Sequence, residues 1–476
     1  YGVMAMHIAD GDIRPVHFIG KHYIGSLIPH IAAGFFILFG KGIAAIHVVN
    51  MLFYGGFLLV LFLLARQAFG RRVALYAALL ASVTPYAIYD YLKFVEFPEI
   101  AFWGTLSLLI LVRTIGHRGQ APWHHYVLYG WVLGMGFWAH LQMVYFLGAG
   151  LLILAIHWRQ YRHALRWALA LPGFAIGSLP AILHFSHYGW DKLAGVVGPA
   201  VSIWHADMLE RLHVLIGHVI CYLGLTQGGF HLVNYVDLFS PLITAIGSML
   251  FVVSLIYFWT ISILRIDWSN TQNKGNSARA ALMIFSIAIP LFFLLSHRSD
   301  PAYTSSRYIF PYWVVIPIII AVAADKLFSI KRWLGIALLA AVLTIFSLSY
   351  LRQIEMIAEN EALVGGWIDR LKAHGVTRLI TTRHRAYWVT YVTRERITGA
   401  SLILFDKEPY PPYRERVLTG EGPIAYLFDE RLLPGSDAVR ENLERRLNQL
   451  GVTYIKETSG LGTHIYGMSQ QVTPSW

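Results

Sequence analysis

Two carboxylates, Asp10 and Asp12, stand either side of Gly11, and a second acidic group, Asp90, Glu96 and Glu99 with Lys93 among them, lies between two apolar runs. A carboxylate can take the proton from a hydroxyl nucleophile or help hold a divalent cation. Lys21, His22, Arg298 and Arg307 are the cations suited to phosphate, the guanidinium as a planar fork and the ammonium as a compact charge. Tyr23 and Tyr308 stand beside them as further polar aromatic side chains. Each residue also has a plainer use. Asp10 and Asp12 suit a turn in which they bond local backbone amides. Glu99, next to Pro98 at a predicted helix start, suits the positive end of the helix dipole. Basic residues near span ends commonly reach to lipid headgroups.

The elements that must position these residues are set by composition. Of 476 residues, 56% are hydrophobic and 14% charged, against roughly 25% charged in an ordinary soluble domain. That much apolar surface does not fit one aqueous core, so the fold class is an α-helical polytopic membrane protein. The net charge of +11 arises from 38 Lys+Arg against 27 Asp+Glu. Most of the basic residues sit in short loops beside apolar runs, which the positive-inside rule explains without nucleic acid. Cys221 is the single cysteine, so no intrachain disulfide is available. The 21 histidines show neither ligand-quality spacing nor a His-Glu-x-x-His motif, and no metal site is assigned. The aromatic load of 14% suits interfacial belts.

Apolar runs place spans at 41–65, 73–88, 98–115, 125–140, 142–157, 167–186, 238–264, 279–296, 308–326 and 333–350. The two around His140-Leu141 form a tight helical hairpin. Arg66, Arg71, Arg72, Arg113, Arg118, Arg159, Arg162, Arg166, Arg265, Lys274, Arg279, Lys326, Lys331 and Arg332 fall on one side of this layout, the cytoplasmic one. The opposite side receives the external loop 1–40, the loop from Asp90 to Glu99, the segment from His187 to Val236, the loop from His297 to Arg307, and residues 351–476. The stretch 212–220 within the long segment is apolar but too short to span; it reads equally as a helix lining a cavity and as one packed on neighbouring spans. The chain thus divides into a membrane domain, 1–350, and a soluble extracytoplasmic α/β domain, 351–476. In the latter the pattern predicts helices over 363–373 and 438–450, strands over 377–382, 396–405 and 425–428, and a terminal hairpin over 452–466.

The run Tyr1-Gly2-Val3-Met4-Ala5-Met6-His7-Ile8, then Pro15-Val16-His17-Phe18-Ile19-Gly20-Lys21-His22-Tyr23-Ile24-Gly25-Ser26-Leu27, then Phe36-Ile37-Leu38-Phe39-Gly40 resembles the first external loop of bacterial integral-membrane glycosyltransferases with the GT-C fold. This is the branch of protein O-mannosyltransferases and aminoarabinose transferases. Phe69-Gly70-Arg71-Arg72, the stretch from Pro172 to Pro180, Ser306-Arg307-Tyr308-Ile309-Phe310-Pro311 and the stretch from His374 to Tyr391 are similar to later family segments in the same order. Lys21 stands where the family has Gln, and Ile28 where many relatives have Glu.

The resemblance implies transfer of a sugar from a polyprenyl-phosphate donor to an extracytoplasmic acceptor, a cell-envelope glycan, lipid or protein, at a bacterial cell membrane. It implies that an acidic pair holding the catalytic base lies upstream of Tyr1, in a sequence that begins part-way through its protein. Within the chain Asp10, Asp12 and Glu99 are the fallback carboxylates, with Lys21, His22, Tyr23, Glu96, Arg307 and Tyr308 toward the substrates. No cofactor is assigned; a divalent cation is left open. The alternatives are a transporter or flippase of a lipid-linked substrate and a non-catalytic relative serving as a membrane partner subunit. Transporters commonly show paired broken spans or two-half symmetry, and the sequence shows neither.

Overall fold

The computed structural model describes residues 1–93, 96–117, 121–157, 164–191, 207–229, 232–266, 274–296, 299, 305–401, 410–429 and 436–470. They form two compact units, one of 14–35 and 44–352, the other of 1–13, 36–43 and 353–476.

The larger unit is helical, and its exposed surface is apolar. Among the described residues five helices are long and apolar enough to cross a membrane: Ile43–Phe69 (α3), Glu96–Ile115 (α6), Pro241–Arg265, Gly275–Leu295 and Arg332–Leu351. The last is the first part of a longer helix, Arg332–Ala373. Pro241–Arg265 and Arg332–Leu351 are only 17% and 22% buried while remaining strongly apolar, which is stable against lipid and not against water. The protein is an integral membrane protein.

Counting the bent pairs Arg71–Ser82 (α4) with Tyr86–Leu92 (α5), Leu165–Gly177 with Leu179–Tyr188, and Ser306–Val314 with Ile316–Ile330 gives up to eight spans among the described residues, against the ten expected. The difference lies in the hairpin Trp123–Ala139 (α7) and Met143–His157 (α8), of 17 and 15 residues. At 1.5 Å per residue these reach roughly 22–26 Å, short of a hydrocarbon core of about 30 Å. A second difference is in the first forty residues. Expected as a loop, they contain the helices Gly2–Asp10 (α1) and Leu27–Phe39 (α2).

Small residues let α7 meet the helix Ala170–Gly177 (α9) backbone to backbone. A Cβ on Gly130 would lie 1.9 Å from the Ala170 carbonyl oxygen, and one on Gly134 2.3 Å from that of Phe174. Reciprocally, Cβ atoms on Gly173 and Gly177 would meet the carbonyls of Val127 and Trp131 at 2.1 and 2.3 Å. Two small-xxx-small stripes face each other, the arrangement that gives lipid-embedded helices close packing where no hydrophobic driving force exists.

The basic ends of the helices gather as the charge pattern requires. Arg72 pairs with Asp325 at 3.7 Å, and Arg279 donates to the carbonyls of Ala68 at 2.7 Å and Arg265 at 3.3 Å. The stretch 212–220 belongs to the helix Met208–Tyr222. Its buried Arg211 donates to the Leu294 carbonyl at 3.1 Å and His218 packs on Phe293, while Leu215, Ile216, Val219 and Ile220 line a cavity, so the helix both packs on its neighbours and lines a cavity.

The smaller unit carries a five-stranded sheet in the order β4-β3-β5-β7-β6, with β3 Arg378–Thr381, β4 Thr398–Ser401, β5 Ile424–Phe428, β6 Ile455–Ser459 and β7 Gly462–Tyr466; β1 Thr226–Gly229 and β2 Leu232–Asp237 form a separate ribbon. β3 runs parallel to β4 and β5, while β7 is antiparallel to β5 and β6. Alternation sends Ile380, Tyr426 and Phe428 to one core and Leu379, Ala425 and Leu427 to another that also holds Trp367 and Val389. The α/β class and the terminal hairpin agree with the pattern. The helices Arg383–Val392 and Pro411–Thr419 were not expected; Pro411-Pro412, a turn signal in sequence, instead occupies the first turn of the second helix, where a missing N–H costs nothing.

Gly134→Leu forces α7 off α9 and is expected to destabilise the detergent-solubilised protein by about 1–3 kcal/mol. The thermal midpoint checks this, with Gly34→Leu, which faces open space, as the control.

Candidate functional site

In the larger unit, polar side chains converge where helices break. Residues 17–25 form a small bridged loop, with His17 paired to Gly25, and Ile24 paired to His140 at the α7–α8 break. The Leu141 amide donates to the Tyr23 carbonyl at 3.1 Å and the Gly25 amide to that of Ala139 at 2.9 Å. His140 has extended backbone (φ −161°, ψ 137°), and its Nδ1 accepts from the Gln142 amide at 3.0 Å. Lys21 sits over the rings of Phe18 and Tyr23, 5.7 Å from each centroid. Tyr23 in turn meets His140 edge-on at 5.8 Å.

Arg307 is brought to the same break. The Gln142 side-chain amide donates to the Arg307 carbonyl at 3.0 Å, and both Lys21 and Arg307 lie close enough to bear electrostatically on His140. The guanidinium packs over the Tyr308 ring at 4.9 Å and donates to its hydroxyl at 3.0 Å. Phe97 connects this group to the start of α6, contacting Phe310 at 4.9 Å and His140 at 6.4 Å. Glu96 and Glu99 lie in the same first turn of α6 and are 6% and 3% exposed. Glu99 Oε1 and Gln142 Oε1 are buried with no hydrogen-bond partner among the described residues. Two cations and the open Gln142 oxygen at one break can bind an anionic, hydroxyl-bearing ligand, and a buried carboxylate such as those at the start of α6 can accept a proton.

The other predicted residues go elsewhere. His22 bonds His184 (Nδ1 to Nε2, 2.9 Å), and His184 stacks on His17 with centroids 4.0 Å apart. Asp90 pairs with Lys93 at 3.4 Å. Asp10 and Asp12 belong to the smaller unit and take separate partners. Asp10 closes α1 and pairs with Lys41 at 2.5 Å. Asp12 faces His7 Nδ1 at 2.9 Å. The left-handed Gly11 (φ 82°) ends the helix between them. Arg298 lies outside the described residues, and so do His205 and His231 among the histidines. Among the described residues no three His, Cys, Asp or Glu side chains converge as metal ligands. His140, Gln142, Tyr91 and Tyr222 were not picked out from sequence. The one available signal was a glutamine and a histidine between two apolar runs with almost no loop to hold them.

A second polar network lies within the smaller unit. His7 Nε2 meets the Tyr413 hydroxyl at 3.0 Å and Glu395 Oε1 at 2.9 Å. Tyr413 donates to Glu395 at 2.5 Å, and Arg416 adds a bond to its other oxygen at 3.2 Å. Arg394 and Glu395 hold left-handed backbone (φ 51° and 61°), a conformation that non-glycine residues keep only when their surroundings over-determine it.

The chain has the GT-C fold, a helical membrane unit with a small α/β domain following it in sequence. Over the whole chain the structure matches ArnT from Cupriavidus metallidurans bound to undecaprenyl phosphate, with a TM-score of 0.57 at 12% identity, covering 100% of this chain and 94% of that one. The apo state of the same protein matches with a TM-score of 0.50 over 98% and 92%. The archaeal oligosaccharyltransferase AglB from Archaeoglobus fulgidus is a looser likeness, TM-score 0.47 at 14% identity over 100% and 70%. Residues 25–184 match the model of the dolichyl-phosphate-mannose-protein mannosyltransferase family. No curated protein sequence matches this chain.

Burial, and then the neighbouring rings of His184 and His22, lower the His17 pKa to about 3. Its unfolded value is about 6.5, so between these limits the unfolded chain binds the additional proton and stability falls as pH drops. Melting of the solubilised protein at pH 7.5 and pH 5 should show a smaller acid loss in His17→Gln than in the parent; equal losses would exclude the ring as the source.

Proposed function

We propose that the protein is a membrane glycosyltransferase that moves a sugar from a polyprenyl-phosphate donor to an acceptor hydroxyl. One juxtaposition carries the reading. The short helix Ser306–Val314 bears Arg307 in the polar neighbourhood near one end, while Tyr312, toward its other end, lines an apolar cavity of about 390 Å³ with Leu215, Val219, Phe251, Trp259 and Pro290. A phosphate-binding fork and an oily cavity on one element suit a ligand with a charged head and a hydrocarbon tail. The fold shared with a protein crystallised with undecaprenyl phosphate supports the same ligand class.

In this reading the acceptor oxygen attacks the anomeric carbon as the bond from that carbon to the phosphate oxygen breaks. The hydroxyl proton passes to a carboxylate, and the polyprenyl phosphate leaves with its charge met by Lys21 and Arg307. We take Glu99 as that carboxylate; its burial in the first turn of α6, against Trp103, supports the choice. Glu96, Tyr23 and Tyr308 line the approach. The acceptor is extracytoplasmic, a glycan, lipid or protein of the cell envelope. The host membrane is a bacterial cell membrane with residues 351–476 on its outer side, a reading supported by the basic loops that carry Arg72, Arg265 and Arg279.

The test is release of polyprenyl phosphate by the purified protein in detergent, supplied with a polyprenyl-phosphate sugar and an envelope extract as acceptor. Turnover is expected, and Glu99→Gln should lower kcat by about 10²–10⁴-fold. A transporter gives no turnover without two compartments, so complete absence of release in the parent protein would overturn the proposal. Full activity in Glu99→Gln would move the proton to another carboxylate.

A further inference from the structure

Three side chains from three separate elements bond to two consecutive residues, Ser306 and Arg307. Tyr222, at the end of the helix Met208–Tyr222, donates its hydroxyl to the Ser306 carbonyl at 2.5 Å. Tyr91, from α5, shares a hydrogen bond with the Ser306 hydroxyl. Gln142, at the α7–α8 break, donates to the Arg307 carbonyl at 3.0 Å. Tyr91 and Tyr222 are each 2% exposed or less, and their rings meet at 6.2 Å; Gln142 is 8% exposed. The segment they grip contains Pro311 and is wound as a 3-10 helix, kinked by 44° from Ile316–Ile330. Such a segment leaves carbonyls without the partners an α-helix would supply, and in a lipid-embedded domain each needs another donor.

We infer that Tyr91, Gln142 and Tyr222 are positioning residues that hold the Ser306–Arg307 backbone so that the Arg307 guanidinium meets the phosphate of the prenyl-phosphate ligand. This rests on the function proposed above. The physical reason is that a long, flexible arginine is an effective fork only when its root is fixed, because ordering it on binding otherwise costs affinity. Packing alone would fill the space with apolar side chains. Instead, the Tyr222 hydroxyl and the Gln142 amide are aimed at the backbone around one cation and the Tyr91 hydroxyl at the Ser306 side chain, and the bonds come from elements far apart in sequence. The grip also ties the α5, α7–α8 and Met208–Tyr222 elements to the site, so the setting of Arg307 reports the packing of the larger unit.

The experiment measures the affinity of the full chain, in detergent, for a short-chain prenyl phosphate. The variants are Tyr222→Phe, Gln142→Met and Arg307→Ala, with the double variants Tyr222→Phe/Arg307→Ala and Gln142→Met/Arg307→Ala. Thermal midpoints within a few degrees of the parent identify the folded variants, and Tyr222→Phe, which removes one oxygen, is the mildest. Each single positioning variant should weaken binding about three- to tenfold, the size of one hydrogen bond, and Arg307→Ala should weaken it more. Once Arg307 is absent the positioning variants should add nothing, a non-additivity that a merely structural role would not produce. Full additivity in the doubles, or unchanged binding by folded Tyr222→Phe and Gln142→Met, would overturn the inference and leave the proposed function standing. Failure of the parent protein to bind the prenyl phosphate would overturn both.

Discussion

In hydrocarbon a backbone amide or carbonyl has no water to turn to, and the larger unit is organised by that constraint. Its helices are interrupted, and the groups exposed at each interruption are met from within the same unit. The Tyr86 amide, where α5 begins, donates to the Ser349 hydroxyl at 3.1 Å. At the α7–α8 break the amide of Leu141 finds the Tyr23 carbonyl, and that of Gln142 finds the His140 ring. The Ser306 carbonyl, in the segment kinked from the next helix, is taken by Tyr222. A break tolerated in this way becomes a place where polar side chains can accumulate inside a membrane protein.

The candidate site follows from that accumulation. Lys21, His140 and Gln142 come from the bridged loop and the α7–α8 break, Arg307 from the 3-10 segment, and Glu96 and Glu99 from the first turn of α6. Carboxylates at such depth are costly in contact with lipid, and burial among protein is how they are kept. Beside the polar group, the cavity lined by Trp259, Pro290 and Tyr312 is almost wholly apolar. Charge and oil are thus borne by one short helix, through Arg307 and Tyr312.

The smaller unit solves a different problem by similar means. The N-terminal helix α1 is joined to the domain formed by residues 353–476 through His7, whose two ring nitrogens face Asp12 and the pair Glu395 and Tyr413. Gly2 lets α1 lie against Tyr391, since a Cβ there would fall 2.5 Å from the ring. The left-handed turn at Arg394 and Glu395 carries a conformational cost that these bonds offset.

Much of the architecture was legible in one dimension. Apolar length and loop charge identified the membrane domain and the helix ends that meet around Arg72, Arg265 and Arg279. Alternation and turn residues outlined strands β3 and β5 and the final hairpin. These are properties of period and solvent preference, and they survive without knowledge of neighbours. Arg307, Lys21 and Glu99 were recognisable as chemistry because charge near hydrocarbon is expensive wherever it falls. Tertiary structure alone decided which of them meet. Asp10 and Asp12 look alike in sequence, yet one pairs with Lys41 and the other with His7, because pairing depends on distances between segments that sequence spacing does not encode. For the same reason Gln142, Tyr91 and Tyr222 carried no mark of importance: a hydroxyl or amide acquires its role from the partner it reaches, a carbonyl for Gln142 and Tyr222 and a serine hydroxyl for Tyr91, and that partner is set by the packing of helices more than fifty residues apart.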